Sequence, residues 1–103
     1  MSNYLTKIFL LISLSFFAYA AQATCKANIF GTVYCSIYPG GGAETNDLGT
    51  VKCGKGECRE NLFGTIKCSK TQGGGATVNY IGTVKCLGGC ENGSKSMCIK
   101  GES

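Results

Sequence analysis

Short apolar bursts broken by glycine and asparagine run along the chain from residue 25 onward, with no 3.6-residue periodicity to support a helix. One burst is written four times: residues 28–35 (NIFGTVYC), 46–53 (NDLGTVKC), 61–68 (NLFGTIKC) and 79–86 (NYIGTVKC). Each copy is short, rich in Val, Ile, Thr, Phe and Tyr, and bounded by Gly and Asn, which predicts a β-strand. Alternation then places Val33 and Cys35, Val51 and Cys53, Ile66 and Cys68, and Val84 and Cys86 on a face to be buried. The other face carries Thr32 and Tyr34, Thr50 and Lys52, Thr65 and Lys67, and Thr83 and Lys85. The glycine before each threonine predicts a bulge, a bend or a close backbone approach.

The octapeptides sit inside a longer period. Cys25, Cys35 and Cys53 recur as Cys58, Cys68 and Cys86, each displaced by 33 residues, and the Gly-Gly-Gly-Ala run at 40–43 recurs at 73–76. The pattern reads as a tandem duplication, 25–57 and 58–89, followed by a truncated third unit, 90–103, in which Cys90 and Cys98 mimic the first two cysteines of each repeat. The expected architecture is all-β: a small disulfide-stapled domain of about six short strands with pseudo-twofold internal symmetry. The triple-glycine stretches read as mobile surface loops, since nothing else of a phosphate-binding loop accompanies them.

The first residues change the picture of where the domain begins. Lys7, an apolar run over 8–17, and small-x-small sites at 18–20 and 21–23 have the form of a secretory leader ending at Ala23. The apolar run is shorter than the roughly 20 residues a spanning helix needs. The expectation is a leader, 1–23, and one domain, 24–103, secreted or periplasmic. From residue 24 on, nine basic and six acidic residues remain, a net charge of +3. That field is mild and gives no reason to expect a nucleic-acid partner.

A domain this small is short of core, and eight cysteines in an exported chain predict a disulfide framework. A scheme that treats the units alike joins Cys25–Cys35, Cys58–Cys68 and Cys90–Cys98 and leaves Cys53–Cys86 to link the halves. A second scheme closes the tight turns, Cys53–Cys58 and Cys86–Cys90, with the other four paired across the domain. Thiolate metal binding is the competing use, but its usual signatures, a C-x2-C knuckle or a nearby histidine, are missing.

Catalytic chemistry has little to stand on: there is no histidine, one aspartate, and no spacing that pairs two carboxylates. The expectation is a non-enzymatic protein without a cofactor. The candidate ligand-facing residues are Lys52, Lys67 and Lys85, with Tyr34 in their place in the first copy, and Thr32, Thr50, Thr65 and Thr83. The bland alternative is a solvated strand face whose lysines discourage edge pairing. The uneven spacing of the threonines, 18, 15 and 18 residues, argues against a flat water-ordering array. Asn92 begins an Asn-Gly-Ser acceptor for glycosylation in a eukaryotic secretory pathway. The functional expectation is a binding module for an extracellular or surface polysaccharide or protein, with self-association as a variant. A small cysteine-rich toxin or antimicrobial factor and a thiolate metal-binding protein are the alternatives.

Overall fold

A computed structural model of the chain describes residues 22–102. Residues 1–21 of the expected leader lie outside the described residues. The protein is all-β, with ten strands of three or four residues: β1 (Cys25–Ala27), β2 (Val33–Ser36), β3 (Ala43–Thr45), β4 (Val51–Cys53), β5 (Cys58–Glu60), β6 (Ile66–Ser69), β7 (Ala76–Val78), β8 (Val84–Cys86), β9 (Cys90–Asn92) and β10 (Cys98–Lys100). Among the described residues a single 3-10 turn, Lys95–Met97, precedes β10. There are ten strands rather than the expected six or so, because the segment ahead of each octapeptide pairs with it and the C-terminal stretch adds two more. The products are four antiparallel hairpins: β1–β2, β3–β4, β5–β6 and β7–β8.

The octapeptide is only partly strand. Its first five residues form the hairpin turn, and only the last three or four extend. In the first copy Gly31 N donates to Asn28 O at 3.0 Å, closing a tight turn, and Asn28 N donates to Thr32 O at 2.8 Å. The Asn28 side chain fixes the loop by accepting from Phe30 N at 3.0 Å and Thr32 N at 2.9 Å. Gly31 takes φ +81°, the left-handed conformation that follows a turn of this kind in a three-residue hairpin loop. Asn46, Asn61 and Asn79 make the same pair of bonds, and Gly49, Gly64 and Gly82 take the same φ. The glycine of the repeat is therefore the bulge residue of a turn, and the asparagine is its latch.

The boundaries of β5–β8 are those of β1–β4 moved by 33 residues, and tertiary hydrogen bonds recur at the same displacement. The fully buried Ser69 hydroxyl donates to Leu87 O, as the buried Ser36 hydroxyl donates to Gly54 O at 2.8 Å. The hairpins pack in chain order, β1 beside β3, β3 beside β5, and β5 beside β7. From the second on, a hairpin turns its Val/Cys face toward the Thr/Lys face of the one before it. Tyr34 packs on Ala43, Val51 and Cys53 of the second hairpin, with Met97 and Cys98 alongside. Cys58, Ile66 and Cys68 form the next cluster. A single inner face was expected; a stack has an inner face at every step and an open face only at its ends. Hence Val51 is 4% exposed, while its counterpart Val33 in the first hairpin is 42% exposed.

Close stacking explains part of each triple-glycine run, while Gly73 and Gly75 stay exposed as expected. Gly41, Gly42 and Gly74 are buried rather than in mobile surface loops. A Cβ on Gly41 would lie 2.2 Å from Ser36 Oγ, and one on Gly42 would lie 2.6 Å from Cys58 N. The backbone of one hairpin runs where a side chain would have to go.

The C-terminal stretch completes the sheets. β9 adds to β6 and β10 adds to β2, giving three-stranded sheets β5-β6-β9 and β1-β2-β10. Between them Ser94 exchanges two backbone hydrogen bonds with Cys53 of β4, at 2.9 and 3.0 Å. The disulfides follow this layout. Cys25–Cys35 and Cys58–Cys68 cross their hairpins, as expected. Cys86 pairs with Cys90, the tight-turn closure of the second scheme, and Cys53 with Cys98, in place of Cys53–Cys86 or Cys53–Cys58. Cys53 and Cys86 belong to the second and fourth hairpins, with the third between them, so neither can reach the other. Each instead meets the tail strand beside it. Cys90 and Cys98 serve as equivalent partners, one for each set of hairpins.

Candidate functional site

The turn geometry leaves two positions of each octapeptide, between Asn and Gly, at the tip of a hairpin. These hold Ile29 and Phe30, Asp47 and Leu48, Leu62 and Phe63, and Tyr80 and Ile81. Seven of the eight are large and apolar, and all seven are exposed: 88% for Phe30 and Phe63, 99% for Tyr80. The stacking that buries the Val and Cys positions cannot cover the tips, because they project past the sheets.

The tips form one row. Ile29 N donates to Gly49 O at 3.0 Å, tying the first tip to the second, and Leu62 N donates to Gly82 O at 2.9 Å, tying the third to the fourth. The middle pair is joined differently, by Asp47 N donating to Glu60 Oε2 at 3.0 Å. Behind the row lie two corresponding clefts. The first, of 630 Å³, lies between the first and second hairpins, with Phe30, Tyr34, Leu48 and Val51 among its walls and Lys95 at its side. The second, of 350 Å³, lies between the third and fourth, with Phe63, Lys67, Ile81 and Val84 in the matching places. Apolar walls with one ammonium group beside them suit an amphipathic partner.

The residues singled out from sequence are distributed otherwise. Tyr34 and Lys67 line the two clefts. Lys52 is half-buried, opposite Glu44 in the β3–β4 ladder and beside Gly93. Lys67 is half-buried too and donates to Asn92 Oδ1, across from the acceptor residue of the Asn-Gly-Ser motif. Only Lys85, in the last hairpin, stands exposed, opposite Thr77. The three lysines therefore do not form one open row, because the stack separates their faces. Thr32, Thr50, Thr65 and Thr83 each close a tip through backbone N and O; Thr50 lines the first cleft and Thr83 the second. The eight cysteines are all disulfide-bonded, which leaves no thiolate among the described residues. Glu57 pairs with Arg59 and accepts from Ala76 N, a structural role.

Sequence reasoning missed the tip residues because their apolar character reads as strand. The signal was present in the spacing: asparagine three residues before a glycine, with threonine next, is a turn whose two central side chains have nowhere to be buried.

No protein-family model, curated protein or solved structure matches the chain.

Proposed function

We propose that the protein is an exported, non-enzymatic interaction module that recognises a component of a cell surface through its hairpin tips. The observation that carries this reading is the row of seven exposed apolar side chains on turns of fixed geometry, backed by two corresponding clefts. Large exposed apolar patches on small proteins mark interaction sites. The turns cost little to hold in place, because their conformation is set by the Asn latch whether or not a partner is present. Export is supported by the leader-like pattern of residues 1–23 and by four disulfides, which persist in oxidising compartments. Among the described residues no helix is long and apolar enough to cross a membrane.

The site differs from the Thr/Lys face expected from sequence, and it favours partners that offer an apolar face. The test is retention of the oxidised protein on intact cells. Phe30→Ser combined with Phe63→Ser is expected to abolish retention, and Lys85→Gln alone to leave most of it. Full retention by the double phenylalanine variant would reject the tips as the site.

A further inference from the structure

The tips have a property that bears on what they touch: their backbone donors are already engaged. Each tip has five N–H groups, from Asn to Thr. In the first tip Asn28 donates to Thr32 O, Ile29 to Gly49 O, Gly31 to Asn28 O, and both Phe30 and Thr32 to Asn28 Oδ1. The third tip repeats all five around Asn61, and the second does so around Asn46, with Glu60 Oε2 as the acceptor for Asp47. In the fourth, four are engaged, and Tyr80 N is the one tip donor without an acceptor among the described residues.

From this we infer that the row of tips seats on a phospholipid bilayer bearing anionic headgroups, with Phe30, Leu62, Phe63, Tyr80 and Ile81 entering the interfacial layer. The inference rests on the cell-surface reading above and names the surface component as lipid. A loop enters an apolar layer only if its backbone N–H groups are satisfied within the protein. Three of the tips meet that condition for every N–H and the fourth for all but Tyr80 N, which, like the apical carbonyls, stays hydrated at interfacial depth; all four carry large apolar side chains at their apices. A sugar chain or an added peptide strand is recognised through both donors and acceptors, and the tips, with their carbonyls open, have almost no backbone donor left to give. Aromatic residues at apices suit the interface, where a ring sits among headgroups and acyl ends.

Charge points the same way. Lys95 and Lys67 line the clefts behind the apolar apices; Lys95 is exposed, so its ammonium group can reach a headgroup phosphate, whereas Lys67 would have to exchange its bond to Asn92 Oδ1 for one. The chain from residue 24 on is net +3. Asp47 is the exception in the row. It is the one acidic apex, and with Glu60 beside it, it keeps the middle of the row shallow on an anionic surface.

The experiment uses the oxidised protein from residue 24 onward and vesicles of phosphatidylcholine alone or mixed in equal parts with phosphatidylglycerol. The chain has no tryptophan, so F63W supplies a single reporter. Expected results are co-sedimentation with the mixed vesicles, weaker binding to phosphatidylcholine alone, and a blue-shifted F63W indole quenched by lipids brominated near the interface. Phe30→Ser and Phe63→Ser are each expected to weaken binding by at least about tenfold. Asp47→Asn is expected to tighten binding to the mixed vesicles. Because the side chains are exposed, the variants keep four disulfides by mass, which separates lost binding from lost folding. Three results overturn the inference: no vesicle binding by a correctly oxidised protein, binding indifferent to both phenylalanines, or an unshifted indole. If vesicles are not bound but Phe63-dependent retention on cells persists, the partner is a surface protein or glycan and the cell-surface reading stands without lipid. If both fail, both readings fall.

Discussion

Asn61→Ala removes the acceptor that fixes the third hairpin tip. Asn61 Oδ1 accepts from Phe63 N and Thr65 N, both at 2.9 Å. Each bond contributes about 0.5–1.5 kcal/mol net, so the pair is worth about 1–3 kcal/mol. The tip is exposed, and water can take over part of the loss, which places the expected cost near the lower end, about 1–2 kcal/mol. For a domain of this size each kcal/mol lowers Tm by about 4–8 °C. The measurement is thermal and guanidinium unfolding under non-reducing conditions, with disulfide content checked by mass. Asn61→Asp is the control, because a carboxylate oxygen occupies the same place and accepts the same two bonds; it is expected to stay within about 0.5 kcal/mol of the parent. If Asp destabilises as much as Ala, or Ala costs nothing, the side chain does not latch the turn and the account of the repeat is wrong.

Removing the Cys53–Cys98 bridge by double alanine substitution is expected to cost about 4 kcal/mol against about 2 kcal/mol for Cys86–Cys90. The loops they close span 45 and 4 residues, and chain entropy rises with the logarithm of that length; equal losses in denaturant unfolding would contradict this. Val51→Ala is expected to cost about 2 kcal/mol and Val33→Ala less than about 1, since one side chain is 4% exposed and the other 42%. Matching Tm values for the two would deny the stack its open end. Gly54→Ala places a Cβ 2.3 Å from Cys68 Cβ and 2.6 Å from Cys68 Sγ, and is expected to lower stability by about 3 kcal/mol or more. A variant that oxidises and melts like the parent would refute that approach.

Much of the plan was legible in local pattern. The 33-residue period from Cys25 to Cys58, the strand character of 33–36 and 66–69, and the disulfides that cross single hairpins all follow from residues close in sequence. What was not legible depended on which segments meet. Ile29-Phe30 and Leu62-Phe63 look like the start of a strand, and only the hydrogen bonds of Asn28 and Asn61 show them to be apices. Lys52 and Lys67 alternate with buried residues, which on a lone sheet means solvent; in a stack the second face is covered by the next hairpin. Cys90 and Cys98 resemble a within-hairpin pair by spacing, yet their partners lie 4 and 45 residues away. The Cys86–Cys90 closure was one of the two schemes open from sequence, but the partner of Cys98 is chosen by the path of the tail over the finished hairpins, information no window of sequence holds.

The tail also sets a limit on growth. It runs backward along the stack, serving the second pair of hairpins with β9 and then the first with β10, and it delivers one cysteine to each. An inserted 33-residue copy would bring three cysteines, two of which close within their own hairpin. The third would be left as a free thiol, and the new hairpin pair would have an open sheet edge, unless the tail gained a strand to match. The number of repeats in this protein is therefore metered from its C-terminal end, and any lengthening has to be written twice, once in the hairpins and once in the strap that crosses them.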